Sequence, residues 1–441
     1  MLKRVLLAGS IGLALSTSAQ AQTALSDDAR ATAVRNLAEM IGAEFYDAQR
    51  AADIEAMLLS RLADDTLDEL DAEQLAGRLT EILSQEDRHF GVSYVGPEEV
   101  ERVMRARAQR QSAGDREPAE DPWAAARRAN FGFASVEILD GNVGYIELNS
   151  FSPIEPAIEA ANAALDFIRN TDGVIIDVRQ NGGGAPSMVQ YLTSHFLPAG
   201  GDTLINTFVS RDYEYPNQMW SLPRHPVGHR PDVPLVVLTS GSTGSAAEGF
   251  PYHLQAMERA TIIGETTYGA GNPGGTFLTE DGFTIFISTG SARNPITGRN
   301  WEGTGVSPDI EIDASQALDR AQLHLYDQIA ETATDENVLR SLSWGREILN
   351  ARLNPVQLTS AQITEYAGDY GIRDALVENG QLFYQREGGP ARELIALGDD
   401  RFAFPDDGRY RIVFERDARG RVTNLQMQVN DGRTLNNPRA N

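Results

Sequence analysis

The 441-residue chain has no cysteine. That excludes disulfides and thiolate metal sites, so any metal would have to be held by histidine and carboxylate alone. Its only lysine is Lys3, so the chain beyond the N-terminal segment offers no lysine base. Positive charge is scarce: 38 Lys and Arg face 63 Asp and Glu, a formal charge of −25. A field of that sign repels nucleic acid and anionic lipid, so neither is expected as a partner. Past the N-terminus no stretch approaches the roughly 18 apolar residues of a spanning helix. In IIDVRQNGGGAPSMVQYL, residues 175–192, the glycines form neither GxGxxG nor GxxxxGK[ST], so that strand-to-helix turn is not a recognisable nucleotide loop.

The first residues, MLKRVLLAGSIGLALSTSAQAQ, combine a short basic start, an apolar run and Ala19-Gln20-Ala21. This is the pattern of a cleavable secretory signal peptide over 1–21, and it predicts a periplasmic or secreted protein.

Residues 22–97 read as a helical domain. Ser26 can cap a helix that presents Val34, Leu37 and Ile41, and Asp71 with Gln74 forms a capping-box pattern before Leu75 and Leu79. The domain ends in EDRHFGVSY, a short strand that carries His89. Residues 98–129 are rich in Arg, Glu and Ala, and predict a charged surface helix and a linker. Residues 130–350 alternate strand and helix patterns, which predicts an α/β core with a mixed sheet and trailing helices. FASVEIL and NVGYIEL flank an Asp140-Gly141 turn. GVIIDVR and PLVVLTS are buried strands, and ATIIGET and GFTIFIS complete the sheet. A helix after Pro156 should turn Ile158, Ala161, Leu165 and Ile168 to one side. From 355 to 441 the period is two, with an Asn379-Gly380 turn, and predicts a small antiparallel all-β domain.

The chemistry concentrates in a few short stretches. TSGSTGSAAEGF, residues 239–250, joins a buried strand to a helix. A serine there lies beside free helix N-terminal amides, a favourable place for a nucleophile and an oxyanion. Ser245 is best placed; Ser240 and Ser242 come earlier and can serve as turn residues. Asp177-Val178-Arg179-Gln180-Asn181 runs into Gly182-Gly183-Gly184, a turn able to supply a second amide donor. A nucleophilic serine needs a base. Of the six histidines, His195 and His324 fall in helical runs, and His225 and His229 in a Pro-rich loop. His253 should point away from the serine turn. His89 leads into a strand at the edge of the core. Glu302, in NWEGTGVSPDIEI, could orient an imidazole.

Together these stretches resemble the S41 family of serine peptidases, the tail-specific or carboxyl-terminal processing group, over about residues 80–313. DVRQNGGG is similar to the family's DLRNNGGG, SAAE to its nucleophile motif, ATIIGETTYGAG to its GE-x-T-F/Y-G-K-G segment, and GTGVSPDIEI to its GxGVxPD strand. The family lysine would fall at Ala270, so a Ser–Lys dyad is excluded. The resemblance instead implies the Ser-His-Glu arrangement of the tricorn-core and chlamydial-protease branch. Ser245 would be the nucleophile, His89 the general base and Glu302 the orienting acid. The amides of Gly183 or Gly184 and of Ala246 would form the oxyanion hole, on a ClpP/crotonase-like fold. The segment between His89 and the core strands is too short for a PDZ domain. Arg88 stands where the tricorn type has a serine. The implied substrate is a peptide or protein, with no metal or organic cofactor. An esterase or amidase on the same triad, and a hydrophobic-ligand carrier on the same fold, are the rival readings. RDYEYPNQMW, residues 211–220, could shape a subsite or form a surface hairpin.

Overall fold

The computed structural model describes residues 24–64, 66–113 and 121–440, and the backbone of 5–7. Three helices come first, Asp27–Glu44, Ala48–Arg61 and Ala72–Leu83. Two of the caps are those read from the sequence: Ser26 accepts from the Ala29 amide, and Asp71 and Gln74 form a reciprocal capping box. The buried stripe of Val34, Leu37, Ile41, Leu58, Leu75 and Leu79 does not close on itself. It packs on Phe277, Phe283, Ile285 and Ile287, from a hairpin far along the chain.

That hairpin, Gly274–Leu278 with Phe283–Ser288, takes Gly91–Tyr94 as a further antiparallel strand. The boundary at residue 97 therefore does not separate two cores, and GFTIFIS belongs to a sheet of its own rather than to the central one. The pairing fixes the strand that follows His89. Val5–Leu7 pairs with Thr276–Leu278 on the other edge; the rest of the expected leader lies outside the described residues. The charged helix is observed at Pro97–Ala113, and part of the expected linker, 114–120, lies outside the described residues.

The central sheet has six strands in the order Ile310–Glu311, Thr261–Gly264, Leu235–Thr239, Gly173–Asp177, Val143–Leu148 and Phe133–Leu139. All neighbours are parallel except the last pair, a hairpin. Gly173–Asp177 and Leu235–Thr239 are buried along their whole length, as strands covered on both faces must be. Successive side chains alternate between faces. Ile176 and Val237 meet the helices Ile154–Phe167, Pro186–His195 and Ala246–Ala256, whereas Ile175 and Val236 meet Ala317–Thr332. In the first of these helices the buried face is Ala157, Ala161, Ala164 and Leu165, and Ile158 is exposed. The chain leaves two adjacent parallel strands at Asp177 and Thr239, the crevice where open α/β sheets place their sites.

The C-terminal domain is an antiparallel meander of eight strands in sequence order, from Gly368–Asp369 to Thr434–Pro438. Asn379 and Gly380 have φ of 50° and 81°, the left-handed pair that a type I′ turn requires. Tyr384, Phe402, Phe404, Phe414 and Leu425 fill its interior. Helix Glu336–Leu353 joins it to the core: the Arg411 guanidinium lies 4.0 Å over the Trp344 ring, and Glu347 pairs with Arg401 and Arg411.

Candidate active site

Side chains, not only glycines, build the serine turn. Thr243 Oγ1 donates to the Val178 carbonyl and accepts from the Ser240 amide, and Ser240 Oγ donates to the Arg179 carbonyl. The Gly244 amide donates to the Asn181 carbonyl. These bonds tie the ends of the two parallel strands together and commit Ser240 to structure. Ser245 then sits at φ 54°, ψ −123°, just before the helix Ala246–Ala256. For a residue with a Cβ that conformation costs roughly 1–3 kcal/mol and persists only where the surroundings enforce it. Glu248 is the enforcing group. Its buried carboxylate accepts from the amides of Ser245 (2.8 Å), Gly269 (2.6 Å) and Ala270 (2.9 Å) and from Thr267 Oγ1 (2.5 Å). Burial pushes its pKa up against the pull of these bonds.

The glycine turn lies against the serine turn. A Cβ on Gly183 would stand 2.8 Å from the Ser245 Cβ, and one on Gly184 only 2.1 Å from the Phe151 carbonyl oxygen. Their φ values, 117° and 136°, also exclude other residues. The Gly183 amide is already committed, donating to Asn181 Oδ1, so the expectation for that residue needs correction. Gly184 is the neighbouring amide of the turn, and Ala246, the first helical residue, has no carbonyl one turn earlier to take its N–H. Asp177 and Arg179 are paired with each other, and Asp177 also accepts from Tyr145 Oη.

His89 comes to the same place from the N-terminal segment. Its ring stacks on Phe286, 5.2 Å between centroids, and it borders the same cavity as Ser245. Its Nδ1 faces two carboxylates, Glu302 Oε2 at 3.8 Å and Asp87 Oδ1 at 3.9 Å, and has no hydrogen bond. Glu302 is gripped by backbone: Oε1 accepts from the Arg88 amide, Oε2 from those of Gly271 and Asn272. Burial works to raise its pKa, but the imidazole and these amides hold it below the ordinary value. Asp87 accepts from the His89 amide and from Asn272 Nδ2; burial, and then the charge of Glu302, push it up.

The three sequence candidates are thus brought together, with Asp87 as a member that sequence reasoning missed. Its only local signal was an acid two residues before the histidine. Donor-type atoms of Asp87, His89 and Glu302 lie within 4.8 Å of one another, close enough for a cation. Every carboxylate oxygen of the group already accepts an N–H, however, so the arrangement suits an imidazole better than a metal. Ala270, at the position of the family lysine, is buried, and its carbonyl accepts from Trp301 Nε1.

The cavity beside Ser245 has a volume of about 260 Å³ and mostly apolar walls, among them Val189, Phe208, Met219, Ala292 and Trp301. Met219 comes from the 204–220 hairpin, so RDYEYPNQMW is both a surface hairpin, with Tyr215 exposed, and a wall of the cavity. His253 also borders the cavity, contrary to the expectation that it points elsewhere. Burial holds its pKa down at about 3. Buried His195 and His225 and half-buried His229 form a separate cluster, with centroids 5.0 and 6.1 Å apart along the row, and do not border the cavity.

Residues 142–312 match the model of Peptidase family S41. Among curated proteins, the chain is 28% identical over 180 residues to carboxy-terminal processing protease CtpA of Bacillus subtilis, covering 40% of this chain and 36% of that protein. It is 31% identical over 173 residues to the carboxyl-terminal-processing protease of a Synechocystis strain, covering 39% and 38%. The alignments thus span about two fifths of these relatives' lengths. Among solved structures, the photosystem II D1 C-terminal processing protease superposes with a TM-score of 0.41 at 15% identity, covering 66% of this chain and 94% of that one.

Proposed function

We propose that this chain, whose residues 142–312 form a peptidase family S41 core, is an exported serine peptidase that cleaves peptide bonds through an acyl-enzyme. The observation that carries the reading is the convergence of Ser245, in an enforced left-handed turn, and His89 on one cavity, with the Glu302 carboxylate behind the imidazole. The relatives' names as processing proteases support the reaction class. The leader pattern over 1–21 supports delivery to the periplasm or the medium.

Ser245 Oγ attacks the substrate carbonyl carbon as His89 Nε2 takes its proton. The oxyanion is met by the amides of Gly184 and Ala246; a preorganised donor of this kind is worth about 10²–10³ in rate. Glu302, behind Nδ1, holds the ring in the correct tautomer and stabilises the imidazolium. His89 gives its proton to the leaving amine as the C–N bond breaks. Water then attacks the acyl-enzyme, passing a proton to His89, which returns it to Ser245 as the carboxylic acid departs. The separations of 3.8 and 3.9 Å at Nδ1 describe a free enzyme in which this contact closes with substrate bound.

The test is labelling of the purified protein with a fluorophosphonate, beside Ser245→Ala and His89→Ala, together with hydrolysis of an unstructured protein. Labelling mapped to Ser245 and lost in both variants is the expected result. A folded wild type that neither labels nor hydrolyses would overturn the reading.

A further inference from the structure

We infer that the outer edge of the strand Gly274–Leu278 is a docking site for an extended, apolar stretch of the substrate, which adds there as an antiparallel strand upstream of the cleaved bond. This rests on the reading of Ser245 as nucleophile. Only one edge of the strand is paired within the core: Phe283–Ser288 lies along its whole length with no shift of register. The Thr279 amide donates to the Phe283 carbonyl, and the Thr289 amide to the Pro273 carbonyl. Backbone groups alternate in direction along an antiparallel strand. Gly275 and Phe277 therefore bond inward, and Gly274, Thr276 and Leu278 turn their N–H and C=O to the outer edge. Such an edge is a template for another chain, and native proteins blunt it with charge, proline or a bulge. GGTFL carries none of the three.

The chain itself shows what this edge takes. Val5–Leu7 lies antiparallel along it, with positions 5, 6 and 7 opposite Leu278, Phe277 and Thr276. That apolar triplet belongs to the leader pattern over 1–21, and with the leader removed the edge is free for substrate. As the seated segment advances it moves from Leu278 towards Gly274, which borders the same cavity as Ser245 and His89. The second residue past the triplet comes opposite Gly274, about 7 Å further on at roughly 3.4 Å per residue. A substrate in this seat enters the cavity with its C-terminal end leading, so the residues on the strand lie on the acyl side of the bond that Ser245 attacks.

The surroundings of the seat fit an apolar chain. A Cβ on Gly274 would stand 2.1 Å from the Ile287 carbonyl oxygen, so no side chain screens the backbone where the docked chain passes into the cavity. Cross-strand neighbours share a face. A docked residue opposite Phe277 lies on the side of buried Phe277, Ile285 and Ile287, and one opposite Thr276 on the side of Phe286, the ring that stacks on His89. Main-chain bonds give such a contact its affinity, and the alternate side chains its preference.

The experiment uses the exported, leader-free enzyme and a quenched fluorescent peptide that contains a site it cleaves in the unstructured protein, preceded by a long acyl-side arm. Residues of the arm are N-methylated one at a time, and kcat/KM is measured. Only alternate residues of a docked strand turn their N–H to the enzyme, so losses of about tenfold or more should fall on every second position of the arm and spare those between. Thr276→Pro removes an outward N–H and no inward one. It should lower kcat/KM for the long peptide and leave fluorophosphonate labelling of Ser245 intact. A benzoylphenylalanine in the arm should cross-link to residues 274–278 of Ser245→Ala, which holds the peptide uncut. Even or absent losses along the arm, or cross-links confined to other segments, would overturn the docking site and leave the peptidase reading standing. No labelling and no cleavage of any substrate would overturn both. The cross-link decides the matter even if Thr276→Pro fails to fold.

Discussion

Two carboxylates stand behind His89 at almost equal distance, so the question of which one orients it can be put to a direct test. Glu302 accepts three backbone amides and is held below the ordinary carboxylate range, so it is ionised where a peptidase works. Asp87 is pushed the other way by burial and by that same charge. Of the two, Glu302 is therefore the carboxylate better held as an anion beside a developing imidazolium. Glu302→Gln removes it and adds a mismatch: an amide has one acceptor oxygen, and its NH₂ must face either the Arg88 amide or those of Gly271 and Asn272. In a comparable triad, replacing the orienting carboxylate by an amide lowers kcat about 10⁴-fold, roughly 5.5 kcal/mol of transition-state stabilisation. A loss of about 10³–10⁴ in kcat, with little change in KM, is expected here.

Asp87→Asn keeps an acceptor for the His89 amide and leaves the Glu302 carboxylate and its backbone bonds in place. It should cost less than about tenfold. The assay is steady-state hydrolysis of an unstructured protein substrate, with thermal melts to show that both variants are folded. If Asp87→Asn loses the 10³-fold and Glu302→Gln does not, the roles are reversed and the assignment of charge is wrong.

Gly183→Ala should abolish fluorophosphonate labelling, because its Cβ would press on the Ser245 Cβ at 2.8 Å in a backbone conformation that disfavours side chains; normal labelling would show that the two turns are not rigidly apposed. The buried histidine row should make the fold acid-labile. Burial first, then neighbouring imidazole charge, lowers His195 and His225 to about 4, so the unfolded chain takes up protons from pH 6.5 downwards while the folded chain does not. Stability present above pH about 6.5 is lost as pH falls towards 4, on the order of 3 kcal/mol per histidine. His225→Phe should narrow the gap in Tm between pH 7.5 and pH 5, and an unchanged gap would refute this account. Trp344→Ala should remove the stack with Arg411, about 1–2 kcal/mol, and make the β domain easier to release by limited proteolysis. Labelling of Ser245 should be unaffected, since that contact lies outside the cavity lining.

What could be read in the sequence follows from how local each signal is. The Ser245 turn, the triple glycine and the Asp71–Gln74 capping box are set by residues a few positions apart, and all stand where the local pattern puts them. Phe283–Ser288 has the right period for a strand, but period does not name a partner. Its pairing with Gly91–Tyr94 depends on contacts almost 200 positions apart. Asp87 was invisible for the same reason: it is one of 63 acids, and only the return of Asn272 and Glu302 to its side gives it a place.

His253 failed differently. Helical phase does separate it from Ser245, but Gly249, one turn before it, has no side chain to cover it, so the ring reaches the cavity wall past an absence. Asn206 is the same lesson taken further. On an alternating strand an asparagine reads as an outward residue, and here the hairpin turns it inward among Phe208, Met219 and Trp301. A polar residue on the buried side of a strand, with its oxygen unpaired, is a conflict between local pattern and packing. Such conflicts concentrate where something other than stability keeps them, and this one borders the cavity beside Ser245.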